Sequence, residues 1–464
     1  MALQNPWWQF STAIKEDDKV HDALNESPSI RLVPILNQNI LYLGPRQVGK
    51  STQIKLWIND LLDAGTLPQN ILYYSCEPLF SNNALIELIT EFDTISRNLP
   101  GTKYIFLDEI TSFFNWETEL KFIIESALGK NKIIIATGSN AIAIKQGIER
   151  LPGRDIHSKL FLPLSFCEYV TFFGSPALQA AMEKINFRWS DLTSRESLIQ
   201  AITAILPFQT ELMAHLNDFF QTGGYLKAIF EYRKNHRIRS EIYETYVKWI
   251  LGDLSKLGKN EHIFRTVVTG IIKTQKTKFS LNALTGDSST INHSTTQDYL
   301  QTIEQLFLII QLFQREPDSF SLLFRKERKT YFRDPFLFSV FSGYTLGVYQ
   351  NYSVNAEPYL IEGIICETLA RAQMPSETLL LNNSGLGFYT GKKEVDFIVN
   401  VDPVKKQRVG IEVKWQNKVT IQDFHHANLF SHRIILSKKT LRLDDNTLIV
   451  PACLFLPLFR IMRD

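Results

Sequence analysis

Gly44-Pro45-Arg46-Gln47-Val48-Gly49-Lys50-Ser51 follows the apolar run Ile40-Leu41-Tyr42-Leu43. These eight residues fit G-x-x-x-x-G-K-[S/T], the phosphate-binding loop, placed between a strand and a helix. Gly44 and Gly49 let the backbone curl so that successive N–H groups face inward around phosphate oxygens. Lys50 has the length to reach the β- and γ-phosphates, and the Ser51 hydroxyl suits Mg²⁺. Thr52 continues the loop into the helix, whose positive end favours an anion. A plain glycine-rich turn shares some of these residues, but rarely all four fixed positions after an apolar strand.

A second apolar run, Tyr104-Ile105-Phe106-Leu107, ends in Asp108-Glu109. This is the Walker B pattern: the Asp108 carboxylate is suited to hold Mg²⁺ through water, and Glu109 to orient and deprotonate the attacking water. A third run, Ile133-Ile134-Ile135-Ala136-Thr137, leads into Gly138-Ser139-Asn140. Ser139 and Asn140 are candidates to touch the γ-phosphate or the attacking water, and a simple turn is the alternative for each. Ile71-Leu72-Tyr73-Tyr74-Ser75 reads as a fourth strand. Apolar strands alternating with helical segments imply a parallel sheet covered on both faces, with nucleotide at the strands' C-terminal edge. ATP and Mg²⁺ are the expected cofactors.

The 464 residues exceed one ordinary core, so two or three domains are expected. The 50 Lys and Arg nearly balance 48 Asp and Glu, so whole-chain charge names no partner. Charge distribution says more. Residues 225–278 hold twelve Lys/Arg against five acids, and Arg325-Lys326-Glu327-Arg328-Lys329 forms a second basic run. Each run alone reads as a solvated helix face, but two runs flanking one module suggest a nucleic-acid surface. The scattered Cys76, Cys167, Cys366 and Cys453 make no C-x-x-C and suggest a reducing compartment without a zinc site. No signal-peptide pattern opens the chain and no apolar run is long enough for a bilayer, so a cytoplasmic protein without a membrane partner is expected.

The N-terminal motifs resemble those of prokaryotic AAA+-type ATPases whose C-terminal domain is PD-(D/E)XK nuclease-like. The matching pieces are Asn5-Pro6-Trp7-Trp8, residues 44–51, Leu107-Asp108-Glu109-Ile110, Thr137-Gly138-Ser139, Leu151-Pro152-Gly153-Arg154 and Pro163-Leu164-Ser165-Phe166. Relatives often carry Gln after Asp-Glu-Ile, where this chain has Thr111. The resemblance implies that Arg154 is an arginine finger or sensor, acting in cis or from a neighbouring subunit of a homo-oligomer formed through the ATPase domain. An ordinary surface arginine is the alternative.

The middle of the chain reads as mainly helical. Phe219-Phe220-Gln221-Thr222-Gly223-Gly224-Tyr225 resembles a family motif, read as a turn between helices. Ser294 is expected to cap a helix with Gln297 in a capping box, and that helix is expected to run through Leu306-Phe307-Leu308-Ile309-Ile310. Strand-like Leu322-Leu323-Phe324 and Thr330-Tyr331-Phe332 follow. Together they suggest a winged helix led by Thr295, Thr296 and Gln297, with DNA as the expected partner and a protein-contact module as the alternative.

In the last part, Glu394-Val395-Asp396-Phe397-Ile398-Val399 and Gly410-Ile411-Glu412-Val413-Lys414 alternate as strands. Glu394 and Asp396 share one face, as do Glu412 and Lys414. If the strands pair, three carboxylates and one ammonium converge, which is costly unless a cation offsets it. Asp396 and Glu412 offer hard oxygen ligands to Mg²⁺ or Mn²⁺, and Lys414 can orient water or stabilise developing charge. This arrangement resembles the PD-(D/E)XK core, and the resemblance adds Glu362 as an upstream helical ligand. Charges that only keep an edge strand soluble are the other reading of E-x-K.

The expected architecture is therefore α/β throughout. Residues 1–205 are expected to form a P-loop, AAA+-like parallel-sheet ATPase. Residues 206–345 are expected to form a helical and winged-helix module, and residues 346–464 a PD-(D/E)XK nuclease-like domain. The expected function is ATP-driven DNA processing with a metal-dependent nuclease. Its rival is a nucleotide-controlled switch or scaffold whose nuclease-like fold only binds a partner. A small-molecule kinase would leave the second half of the chain unexplained.

Overall fold

A computed structural model describes residues 1–26, 37–79, 81, 83–112, 115–139, 156–274, 277–285, 291–323, 327–347, 349, 357–373, 385–391, 393–443 and 446–459. Two compact units divide the chain, Met1–Leu162 and Pro163–Met374 with Leu380–Met462.

The first unit is built on β1 (Asn39–Leu43), β2 (Ile71–Ser75), β3 (Lys103–Asp108), β4 (Lys132–Gly138) and β5 (Ile156–Leu160). Their order is β2-β3-β4-β1-β5, and every neighbouring pair is parallel. Parallel strands linked by helices are buried on both faces, which is why these runs are apolar without alternation. Leu41, Leu43, Leu72, Ile105, Leu107 and Ile134 pack with Phe92, Trp116 and Leu120 in one core. Helix Lys50–Asp63 buries Ile54, Leu56, Trp57, Ile58 and Leu61.

The N-terminal Asn-Pro-Trp-Trp stretch covers the free edge of β2. The Asn5 amide donates to Tyr73 O at 2.9 Å and accepts the Tyr73 N–H at 2.7 Å, mimicking a neighbouring strand. Both indoles, of Trp7 and Trp8, donate to Ile71 O. An edge paired in this way no longer offers free backbone groups to another chain.

The second unit begins at Pro163, earlier than the expected boundary at residue 206. Leu164 N donates to Gly224 O at 3.0 Å, Cys167 Sγ donates to Pro457 O at 3.1 Å, and the Phe166 ring meets Phe219. Helix Phe166–Phe173 therefore packs with the helices that follow it. The middle and last parts likewise share this unit, since Arg315 N donates to Phe388 O at 2.9 Å.

Helices Ser240–Lys256, Glu261–Lys273, Leu281–Thr285 and His293–Gln305 precede a two-stranded antiparallel pair, β6 (Ile309–Phe313) and β7 (Arg328–Phe332). The helix expected through Ile310 stops at Gln305, because Phe307 takes a left-handed backbone (φ 61°) and β-branched Ile309 and Ile310 enter β6. Its cap is Asn292, not Ser294: Asn292 Oδ1 accepts the Thr295 N–H at 2.8 Å and the Ser294 hydroxyl at 2.7 Å. Leu322 makes only an isolated bridge with Arg315, Leu323 lies outside any strand, and Phe324 lies outside the described residues.

After helices Pro335–Leu346 and Glu357–Ala372 comes a second five-stranded sheet. Its strands are β8 (Leu386–Thr390), β9 (Glu394–Asp402), β10 (Gln407–Lys414), β11 (His432–Ser437) and β12 (Thr447–Pro451), in the order β12-β11-β10-β9-β8. β8, β9 and β10 are antiparallel neighbours, and β10, β11 and β12 are parallel. Val395, Ile398, Ile435 and Ile449 pack with Phe424 and Phe430 on this sheet.

Candidate functional site

The phosphate loop leaves β1 and enters helix Lys50–Asp63 through Gly49, whose φ of 96° favours glycine. Gly44 has its own constraint: a Cβ there would lie 1.8 Å from Phe161 O. Lys50 is buried, and its ammonium donates to Gly44 O and Pro45 O, both at 2.8 Å. The lysine is thus folded onto its own loop.

Asp108 and Glu109 end β3, and Ser139 follows β4, which lies between β3 and β1. All three stand at the C-terminal edge of the sheet, on the loop's side. Asp108 is held at both oxygens: Thr137 Oγ1 donates to Oδ1 at 2.6 Å, and the Tyr73 hydroxyl donates to Oδ2 at 3.0 Å. Thr137 Oγ1 also accepts the Glu109 N–H at 3.0 Å. Glu109 has φ 56°, and its Oε1 accepts both the backbone N–H and the hydroxyl of Ser139. Burial and then the Asp108 charge push the Tyr73 phenol far above its ordinary range, so it stays a donor. The Ser51 hydroxyl and Asp108 carboxylate are hard oxygen donors of the kind Mg²⁺ takes. Pro45, Arg46, Gln47, Val48 and Thr52 sit in or beside the loop, whereas Asn140 and Arg154 lie outside the described residues. Sequence reading missed Tyr73 and Thr137. Their signal was a hydroxyl on each strand flanking β3, Tyr73 midway along β2 and Thr137 near the end of β4.

A second polar centre lies in the other unit. The antiparallel register sets Ile411 opposite Phe397, so Asp396 and Glu412 stand across from each other on the opposite face. Asp396 Oδ2 accepts the Val413 N–H at 2.9 Å, and Lys414 Nζ donates to Glu412 Oε2 at 3.1 Å. Glu362, from helix Glu357–Ala372, accepts the Tyr331 hydroxyl at 2.8 Å. The expected acids and lysine are therefore brought together.

One more residue joins them. Lys329 belongs to the second basic run, expected at the surface, yet it is 4% exposed. Its ammonium lies 2.5 Å from Glu394 Oε1, 3.2 Å from Asp396 Oδ1 and 3.9 Å from Glu362 Oε2. Arg328 is buried too and donates to Gln311 Oε1. Both residues are buried because they lie on β7, inside the unit. Lys329 and Tyr331, two apart on that strand, both reach the acids, a pairing that K-x-Y alone did not announce.

The electrostatics follow from this crowding. Burial and the Asp396 charge push Glu412 up to about 8 and Glu362 up to about 7. Burial alone would also raise Asp396, but Lys329, the Val413 N–H and Lys414 outweigh it and hold that carboxyl below its usual range. Burial would lower Lys329, yet Asp396, Glu362 and Glu394 hold its ammonium above the usual range. Glu412 is 1% exposed, and its Oε1 has no hydrogen-bond partner among the described residues. Beside the Asp396 carboxyl, which helps raise Glu412, such an oxygen calls for a shared proton or a cation. The donor set suits a hard divalent ion, although no group of three or more His, Cys, Asp or Glu is spaced as a ready metal cage among the described residues.

The first basic run is partly spoken for. Arg239 pairs with Glu231, Lys259 with Asp298, Arg233 stacks over Phe173, and Arg265 lies over Tyr344. Lys227, Lys234, Arg237, Lys248, Lys256 and Lys273 are exposed.

A family model described as an AAA domain matches residues 37–170. A second model, a domain of unknown function (DUF8612), matches residues 213–346. The uncharacterized protein MJ1544 of Methanocaldococcus jannaschii is 25% identical over 227 residues, covering 49% of this chain. The chain spans only 43% of that relative's length. Among solved structures, the Thermotoga maritima RuvB Holliday junction branch migration motor matches with a TM-score of 0.26 and 17% identity, over 61% of this chain and 83% of RuvB. The Aeropyrum pernix ORC1 protein, solved in complex with DNA, matches with a TM-score of 0.28 and 12% identity, over 73% of this chain and 96% of ORC1. No helix among the described residues is long and apolar enough to cross a membrane.

Proposed function

We propose that this chain is an ATP-hydrolysing, DNA-processing protein whose second unit cleaves phosphodiesters with a divalent metal. The observation that carries the nuclease half is the Asp396–Glu412 pair across β9 and β10, with Lys414 on one Glu412 oxygen and no donor on the other among the described residues.

In the first unit, Lys50 and the loop N–H groups bind the triphosphate, Ser51 and Asp108 hold Mg²⁺, and Glu109 takes the proton of the attacking water. Ser139 and Thr137 keep Glu109 and Asp108 aimed; contact with the γ-phosphate by Asn140, and positive charge from Arg154 in cis or from a neighbouring copy, are proposed from the sequence alone. In the second unit, Asp396 and Glu412, helped by Glu362, hold Mg²⁺ or Mn²⁺. Bound there, the metal supplies Lewis acidity and a more acidic water. Lys414 would orient an attacking water and steady the charge that develops on the phosphate. The exposed lysines and Arg237 of the helical region, with a winged-helix reading of residues 281–332, give DNA its backbone contacts.

One observation favours a second reading, a nucleotide-controlled switch whose acid site does no chemistry: Lys329 already neutralises part of the cluster. Cleavage of single-stranded, duplex and branched DNA with Mg²⁺ or Mn²⁺, with and without ATP, separates the two. Cleavage lost in Glu412→Ala with Lys414→Ala, and unaffected in its intrinsic chemistry by Lys50→Ala, supports the nuclease. No cleavage of any substrate with ATP hydrolysis intact supports the switch.

A further inference from the structure

We infer that Lys329 is the resident cation of the acid site, and that a divalent metal and the Lys329 ammonium exclude one another there. The inference rests on reading Asp396 and Glu412 as metal ligands. It adds what regulates that site: β7 must let its lysine go before metal is held.

Three observations converge. The Lys329 ammonium sits within 4 Å of Glu362, Glu394 and Asp396, two of them expected ligands. It is buried, so no water screens these contacts well. Glu412, also buried, keeps one oxygen without a partner among the described residues. Lys329 reaches three of the four carboxylates and Lys414 reaches Glu412, so two ammoniums offset the cluster without satisfying it. A divalent ion bound by Asp396 and Glu412 would lie close to Lys329 Nζ, where like charges in a dry site repel strongly. Removing the ammonium should therefore tighten metal binding. It should also leave the metal-free fold with crowded carboxylates.

The probe is Mn²⁺ alone, titrated into the full chain without nucleotide and followed by calorimetry and by the electron paramagnetic resonance of free Mn²⁺. Lys329→Gln is expected to bind Mn²⁺ roughly tenfold or more tighter than the unaltered protein. Lys329→Arg, which keeps the charge, is expected to bind no tighter. Adding Glu412→Gln to Lys329→Gln is expected to remove the gain. Equal Mn²⁺ affinity in Lys329→Gln and the unaltered chain overturns the inference, as does an equal gain in Lys329→Arg. If Lys329→Gln unfolds without metal, thermal unfolding decides: a larger Mn²⁺-induced rise in Tm than in the unaltered chain supports it. An equal or smaller rise, or no folding even with Mn²⁺, overturns it. Tight Mn²⁺ binding by Lys329→Gln without any DNA cleavage would sink the nuclease reading and leave this one standing. Cleavage by the unaltered chain with Mn²⁺ affinity indifferent to Lys329 would do the reverse.

Discussion

Asp334 accepts the Gly224 N–H at 2.8 Å, tying together positions 110 residues apart. Its other oxygen accepts the Phe336 N–H at 2.8 Å, capping helix Pro335–Leu346. The fit leaves no room at the glycines: a Cβ on Gly224 would lie 1.9 Å from Leu164 O, and one on Gly223 would lie 1.6 Å from Asp334 Oδ1. Gly224→Ala should cost roughly 3 kcal/mol or more. Urea unfolding, or insoluble expression of the variant, checks this, and a loss below about 0.5 kcal/mol would show that the backbone yields there.

The same aspartate makes stability depend on pH. Burial pushes Asp334 from an ordinary 3.8 up to about 7, against the pull of its two N–H donors and Arg371. Between these values the folded chain keeps a proton that the unfolded chain has released. Its contribution is therefore full at acid pH and is lost as pH rises through about 7. In Asp334→Asn this part of the slope should vanish, read as the change in urea midpoint between the acid and neutral ends of that window. An identical slope in both proteins would remove Asp334 from the account.

ATP turnover should depend on Glu109 more than ATP binding does. Glu109→Gln is expected to slow hydrolysis about a hundredfold while nucleotide still binds. Thr137→Val removes the hydroxyl that steadies both Asp108 and the Glu109 backbone and should lower turnover roughly tenfold. Steady-state phosphate release and fluorescent-nucleotide titration separate the two effects. Lys50→Ala should instead fail at binding.

At the acid site, Asp396→Asn should reduce cleavage roughly a hundredfold or more. The variant keeps a group that can accept the Val413 N–H, so a fold-dependent loss is separable by circular dichroism. Unchanged cleavage would place any nuclease chemistry elsewhere.

What the sequence made legible was whatever chemistry is local. The phosphate loop, the Asp108-Glu109 pair and the apolar runs of β1 to β4 are contiguous signals, and each lies where its run predicted. Alternation placed β9 and β10 as well. The missed features depend on distant partners. Phe307 ends a helix because the chain beyond it is needed as β6, and an apolar run reads the same in either state. Lys329 looked like surface charge because the acids that hold it come from residues 362 to 396. Asn5 and the two tryptophans matched a pattern, but their work as a substitute strand appears only once β2 is an edge.

The four cysteines are all buried and unpaired by disulfides. Burial pushes the thiols of Cys76, Cys366 and Cys453 upward, away from the reactive thiolate. A maleimide dye should therefore find little to react with on the native protein. Fluorophores for distance measurements can be attached through cysteines introduced at exposed positions such as Lys227 or Lys248, without first stripping the natural ones from the interior.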